Sequence, residues 1–309
     1  MVGPLGGPRP RTEAMNTGSR HHAMQRNVAL DRSLEALPLF RLSDSPDEAP
    51  VTFTAENGAR WRVLPSPGDR LPGTFDQDVY VELMRRYEDA GNPPDGVVSF
   101  TLHAFLRSMG RRVDGRTYEQ LRSALFRLER TVLESAGAYQ LAGGGTLSGQ
   151  FTLLTAVVIE RRRAADRDQL ALFDTTMARE PGSARAVLAA PVRANLTARR
   201  VVTLSVARYV ALASPVARRL YRLLELARVE GRLAWRISFE RLKETLPLNQ
   251  RYPSHLQRVL QPAHNLLVDA GILRSATIRQ ERRRWYVDYV LGSRTSVPAS
   301  AGLASEPSQ

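Results

Sequence analysis

Arg116-Thr117-Tyr118-Glu119-Gln120-Leu121-Arg122-Ser123-Ala124-Leu125 and Arg251-Tyr252-Pro253-Ser254-His255-Leu256-Gln257-Arg258-Val259-Leu260 align without a gap. Each opens on arginine and carries leucine at the same two later positions. In the first segment Tyr118, Leu121, Leu125, Leu128 and Val132 recur at alternating steps of three and four residues, which makes one apolar stripe on a helix. Thr117 and Gln120 have the spacing of a capping box, in which each side chain satisfies a free backbone N–H at the helix start. The opposite side shows Gln120, Arg122, Ser123, Arg127 and Arg130. The second segment continues through Ala263, Leu266 and Leu267 as another amphipathic helix. Pro262 is expected to kink or split it, because proline lacks the N–H and crowds the preceding turn.

Working outward, each segment follows a short strand and a short helix, and each precedes a hairpin with arginines at its tip or end. Upstream of the first lie a strand at 97–100 and a helix through Leu102, Phe105, Leu106 and Met109, which Gly110 ends. Downstream, 139–141, the Gly143-Gly144-Gly145 turn and 151–159 suggest a hairpin, followed by Arg161, Arg162 and Arg163. Around the second segment the strand is at 235–239 and the short helix runs through Leu242 and Leu246. Two strands, 272–278 and 285–291, are joined at 281–284, which holds Arg282, Arg283 and Arg284. The ordered part is expected to begin at 37–40; a helix at 76–90 precedes these elements in the first half, and in the second a strand at 201–204 and a helix after Pro215 with Leu220, Leu223, Leu224 and Ala227 on its core face. An alternating stretch at 51–63, broken by Asn57-Gly58, predicts a further hairpin. Helix, strand, helix, turn, helix and hairpin is the order of a winged helix. In the helix-turn-helix family the second helix of the pair enters the major groove. The expected fold class is therefore α+β, mostly helical, with two winged-helix domains in tandem at 37–190 and 191–292. Residues 1–36 and 293–309 lack periodic apolar positions and read as flexible tails.

The charge balance points the same way. The 309 residues include 44 basic and 31 acidic side chains, a formal net charge of +13, which favours polyanionic partners. Lys243 is the sole lysine. Arginine forks suit phosphates and guanine edges, although a GC-rich coding sequence is the better explanation of an arginine bias on this scale. With no cysteine, disulfides and thiolate metal sites are excluded. His21, His22, His103, His255 and His264 form no metal-binding pattern, and His264 reads as a polar residue on or near a helix surface. No metal or cofactor is expected. No apolar run has the length of a membrane span, and the first residues lack the apolar centre of a secretory signal, so a soluble cytoplasmic protein is expected. A DNA-nicking enzyme would need a paired-histidine metal site, and His21-His22 lie in the expected tail. Lys243 is not in a nucleotide-binding glycine loop, so no enzyme activity is expected. The aromatic sheet motifs of RNA-binding modules are absent too. A transcriptional regulator would share the DNA-binding fold but calls for a sensor domain, and no separate one is visible.

Three stretches resemble the plasmid replication initiator protein A family. They are Asp95-Gly96-Val97-Val98-Ser99-Phe100 with Gly115 to Leu125, then Arg218-Arg219-Leu220-Tyr221-Arg222-Leu223-Leu224, then His255 to His264 ending in Leu267-Val268-Asp269-Ala270-Gly271-Ile272-Leu273. The likeness spans about 37–291, and 164–190 matches nothing within it. It implies a tandem winged-helix protein that binds repeats of double-stranded origin DNA, recruits host helicase and primase proteins and performs no bond chemistry. It also implies a homodimer in some members, which change between dimer and monomer, and repression of the protein's own promoter in some.

On this reading Arg116, Thr117, Gln120, Arg122, Ser123 and Arg127 face one major groove, and Arg251, Tyr252, Ser254, His255, Gln257 and Arg258 face another. Arginine on guanine or glutamine on adenine reads bases at about 1–3 kcal/mol per good pair. Arg161, Arg162, Arg163, Arg282, Arg283 and Arg284 are expected to hold phosphates or reach a minor groove, fixing register and affinity rather than sequence.

Overall fold

The same six elements, helix–strand–helix–helix–strand–strand, occur twice in the computed structural model, which describes residues 27–42, 49–160, 183–250 and 252–293. In the first unit they are α2 (Thr74–Asp89), β4 (Val97–Thr101), α3 (Leu102–Ser108), α4 (Gly115–Arg130), β7 (Leu154–Ile159) and β8 (Ser183–Leu188). In the second they are α7 (Pro215–Val229), β10 (Ala234–Ser238), α8 (Phe239–Thr245), α9 (Pro253–Asp269), β11 (Leu273–Glu281) and β12 (Arg284–Leu291). The sheets are β4-β8-β7 and β10-β12-β11, all antiparallel, so the last strand of each unit lies between the other two. In both units the last strand residue caps the helix that follows. Thr101 accepts from the Ala104 N–H and Ser238 from the Arg241 N–H, which turns the chain sharply from strand into helix.

The aligned leucines are equivalent in packing. Leu121, Leu125 and Leu128 are buried on α4, as are Leu256, Leu260 and Ala263 on α9. Pro262 does not split α9, which continues unbroken to Asp269. Its ring lies on the exposed side, it forfeits a single backbone bond, and buried side chains before and after it anchor the helix to one core. The capping box of α4 is not Thr117 with Gln120. Asp114 is the N-cap, its carboxylate accepting from the Thr117 N–H at 2.9 Å, while its own N–H donates to Thr117 Oγ1 at 3.1 Å. Helix formation from Gly115 puts Thr117 inside the first turn, where it can reach back but cannot begin the helix.

Strand pairing departs further from the expected scheme. The stretch 151–159 is not one strand, because the chain breaks at Thr152, whose hydroxyl donates to the Leu154 carbonyl at 2.7 Å. β6 (Thr146–Phe151) folds back on β5 (Val132–Gln140), and this hairpin joins β2 (Val51–Thr54) and β3 (Arg60–Leu64) in the sheet β2-β3-β5-β6. In the first unit the antiparallel pair is instead β7–β8, and residues 161–182 between them, with Arg161, Arg162 and Arg163, lie outside the described residues. The β2–β3 hairpin forms as expected, with Gly58 at φ +81° in its turn and Phe53 opposite Trp61. Twelve strands against nine helices among the described residues make the protein mixed α and β rather than mostly helical.

The expected N-terminal tail ends sooner than composition suggests. β1 (Asn27–Asp31) pairs antiparallel with β9 (Val201–Ser205) and buries Val28 and Leu30 completely. α1 (Arg32–Glu35) follows and packs on α7. Five residues of strand are invisible inside a polar stretch, since their partner is about 170 residues away in sequence and strand preference depends on that partner.

Two buried polar clusters tie this N-terminal segment to the rest of the fold. In one, Asp31 caps α1 by accepting from the Ser33 N–H, and accepts from the Tyr139 hydroxyl and from Asn195 Nδ2, the latter at 3.1 Å. Asn195 lies on α5 (Ala190–Thr197). Burial raises the Asp31 carboxyl to about 6, against the pull of these hydrogen bonds. A folded-state value above the ordinary 3.8 means that this group's stabilisation is fully present below about 3.8 and is lost as pH rises through about 6. Asp31→Asn keeps the cap and removes the titration. The stability difference between wild type and variant in urea unfolding should change by about 3 kcal/mol between pH 3.5 and 7. A constant difference across that range would show that Asp31 is not held as a buried carboxyl.

In the other cluster Glu35, fully buried, lies between Arg219 and Arg222 of α7. Arg222 engages both carboxylate oxygens, at 2.8 and 2.7 Å, and Tyr80 adds its hydroxyl at 3.2 Å. Arg219 reaches Oε2 at 3.1 Å and the carbonyls of Glu35 and Leu37. Asp78 of α2 is a third anchor, held by Arg218 at 2.5 Å, Arg111 at 2.7 Å and the Tyr209 hydroxyl at 2.9 Å. Tyr209 belongs to α6 (Val206–Ala211). The two units are thus joined by buried and half-buried ion pairs rather than by apolar surface alone.

Candidate nucleic-acid interface

Helices α4 and α9 hold equivalent places in the two units, and each turns one stripe inward. On α4 the inward positions are Leu121, Ala124, Leu125 and Leu128, so helical geometry leaves Arg116 and Gln120 outside and exposed near the N-terminus. Arg122 and Ser123 are half-buried on the flank, with Arg122 3.4 Å from Glu119. Neither Thr117 nor Arg127 is available for a ligand. The Thr117 hydroxyl is committed to the cap and donates to the Arg112 carbonyl at 2.7 Å. Arg127 is buried and bonded to Asp76 at 2.6 Å and Asp69 at 3.2 Å. It falls three residues after Ala124 and beside Leu128, at the inner edge of the stripe. Burial raises the Asp76 carboxyl even against the Arg127 charge, so this pair is part of the core.

On α9, Pro253 occupies the first helical position, where its missing N–H costs nothing, and Tyr252 precedes it as N-cap. Leu256, Leu260, Ala263 and Leu267 point inward, and Ser254, His255, Gln257 and Arg258 are exposed. Tyr252 is 62% exposed and stands edge-on to the His255 ring at 5.5 Å, so an aromatic pair flanks the helix start. Arg251 lies outside the described residues. His264 is not a surface residue. It is buried, its Nε2 is 2.9 Å from the Tyr289 hydroxyl, and burial lowers it to about 4, which keeps the ring neutral. Gln261, exposed one turn beyond Gln257 and bonded to Asn265 at 3.0 Å, extends the same face. The three- and four-residue period that located Gln257 also locates Gln261.

The β11–β12 hairpin turns in two residues, Arg282 and Arg283, with Glu281 opposite Arg284. Arg282 adopts φ +55°, a conformation that costs a non-glycine residue of order 1 kcal/mol. Arg282, Arg283 and Arg284 are all exposed and none makes an ion pair among the described residues. In this way each helix start presents arginine and glutamine, and the second unit adds three arginines at a hairpin tip. Such a surface can accept phosphates and base edges. Among the described residues no group of three or more His, Asp or Glu side chains could hold a metal ion, and no helix is long and apolar enough to cross a membrane.

The sequence profile of the family described as replication initiator protein A matches residues 30–266, most of the chain. The protein belongs to the replication initiator protein A family. Among solved structures, domains 2 and 3 of RctB are similar at 13% identity and a TM-score of 0.55, covering 83% of this chain and 95% of that one. A second structure of those domains gives 12% identity and a TM-score of 0.50, with 84% and 96% covered. Identity this low shows a shared fold. The Pi initiator protein in complex with iteron DNA is 14% identical with a TM-score of 0.43, over 87% of this chain and 98% of that one. No curated protein matches the sequence.

Proposed function

We propose that the protein starts replication of its replicon by binding repeats in double-stranded origin DNA through two winged-helix units. The reading is carried by one observation: two units of identical element order and strand order each expose an arginine- and glutamine-bearing face at the start of the second helix of a pair. In a winged helix that helix enters the major groove. Arg116 and Gln120 would read one groove, and Gln257, Arg258 and Ser254 the other. The Arg282–Arg284 tip would hold phosphates. With both units in one chain the second contact is intramolecular, so affinity rises without new contacts. Family membership and the net charge of +13 support the reading. Host helicase and primase proteins are the expected recruits, and the protein itself breaks no bond.

Sequencing genomic fragments bound to the purified protein at physiological salt tests this. Enrichment at a few short direct repeats beside its own gene is expected. Peaks scattered over many promoters would make it a transcriptional regulator instead. Incubation with supercoiled DNA and magnesium or manganese should leave the DNA intact, and nicked product would overturn the non-enzymatic reading.

A further inference from the structure

The open edge of the second unit's sheet lies in a groove of about 710 Å³, and all five residues of β10 line it. Among the described residues β10 pairs with β12 on one side and with no strand on the other. The Leu291 N–H donates to the Leu233 carbonyl at 2.9 Å, and the alternation of an antiparallel ladder then directs the N–H and C=O of Ala234 and Arg236 away from β12, into the groove. Side chains alternate across the same strand. Trp235 and Ile237 are on the covered face, next to Leu223 and Leu226 of α7 in the groove wall, and Arg236 is on the open face with Arg284 and Tyr286. Phe53, from the β2–β3 hairpin, closes the far wall, with Arg241 stacked over its ring at 4.0 Å.

We infer that this groove is a docking site for an extended peptide of a partner protein, one in which apolar and acidic side chains alternate, bound as a fourth strand beside β10. Main-chain bonds to Ala234 and Arg236 supply the affinity, and the period of two supplies the selectivity. Apolar side chains on one face of the peptide meet Leu223, Leu226 and Ile237. Carboxylates on the other face meet Arg236 and Arg284. Arg232, at the mouth of the groove and stacked on Trp235, adds a further positive charge. Arg284 makes no ion pair among the described residues, and Arg232 and Arg236 make exposed pairs with Glu230, Glu281 and Asp288, which are weak and exchangeable. The edge N–H and C=O groups of Ala234 and Arg236 and the apolar wall of Leu223, Leu226 and Ile237 match a peptide backbone with apolar side chains better than a run of phosphates. The site lies apart from α4 and from the exposed face of α9 and shares Arg284 alone with the Arg282–Arg284 tip, so it stands whether or not those helices read DNA.

The test uses the full chain and a fluorescein-labelled octapeptide of alternating valine and glutamate, followed by anisotropy. Saturable binding is expected, with slowed amide hydrogen exchange at Ala234 and Arg236. Methylating the peptide's alternate amide nitrogens should abolish binding, and Arg232→Glu should weaken it by about tenfold or more. No binding, equal binding of the methylated peptide, or displacement by short oligodeoxythymidine in place of competing peptide would overturn the proposal. Duplex DNA binding, measured in parallel, should be unaffected by Arg232→Glu. A failure of the groove is therefore distinguishable from a failure of the origin-binding reading.

Discussion

Glu35→Ala should cost the folded protein about 3–5 kcal/mol in urea unfolding, more than any single surface substitution. Glu35 is the shared anion of Arg219 and Arg222, and all three side chains are out of water. The two arginines respond differently. Burial and the neighbouring Arg222 charge lower Arg219 to about 10. Burial also acts to lower Arg222, but the Glu35 charge and its paired hydrogen bonds outweigh that, and the net direction is upward. Both therefore stay cationic at neutral pH, and removing Glu35 strands two buried charges. The Tyr80 hydroxyl, which donates to Glu35, would lose its acceptor as well. Replacing Glu35, Arg219 and Arg222 together by apolar residues of similar volume should recover most of the loss, because the desolvation of all three charges disappears with them. A loss below about 1 kcal/mol for Glu35→Ala would mean that water reaches the cluster, and the joint between the units would then be loose.

On the proposed function, removing Arg116 and Arg258 together should weaken binding to origin repeats by about 2–6 kcal/mol, two contributions of about 1–3 kcal/mol that add because the residues are on separate units. Both side chains are exposed, and neither makes an ion pair among the described residues, so the fold should tolerate their loss. Non-specific binding should change far less. Arg283→Ala, at the hairpin tip, should behave in the opposite way. It should weaken binding to every sequence alike and reduce the slope of log affinity against log salt by about 0.9, the share of one phosphate contact. Competition titrations at several salt concentrations read both effects. Equal loss on specific and random DNA for the Arg116 and Arg258 pair would remove these helices as readers of sequence. An unchanged salt slope for Arg283→Ala would remove the hairpin as a phosphate clamp.

The candidate face was legible where its signal is periodic. Leucine spacing placed the inward stripe of α4 and α9, and with it the outward positions Arg116, Gln120, Gln257 and Arg258. It failed at the margins. Arg127 is as polar as Arg122, yet one is buried on Asp76 and the other half-exposed, because the width of a stripe depends on what packs against it. Asp76 and Asp69 precede Arg127 by 51 and 58 positions, and no local pattern announces them. His264 reads as polar in sequence but is a neutral core residue, because Tyr289 comes back across it on β12.

By itself the sequence determined the six helices of the two units, their inward faces, the turns at Gly58, Gly110 and 281–284, the basic charge and the family motifs. All of these are written in side chains a few positions apart, where backbone geometry and polarity act directly. Tertiary structure alone decided that β6 and β7 part to different sheets, that Asn27–Asp31 is a strand, that Glu35 and Asp78 lock the units together, and that Asp31 ties this strand to β5 and α5. Strand partners and buried charge partners are chosen by the closed fold, since a backbone edge or a carboxylate is satisfied by whatever the chain brings to it from far away.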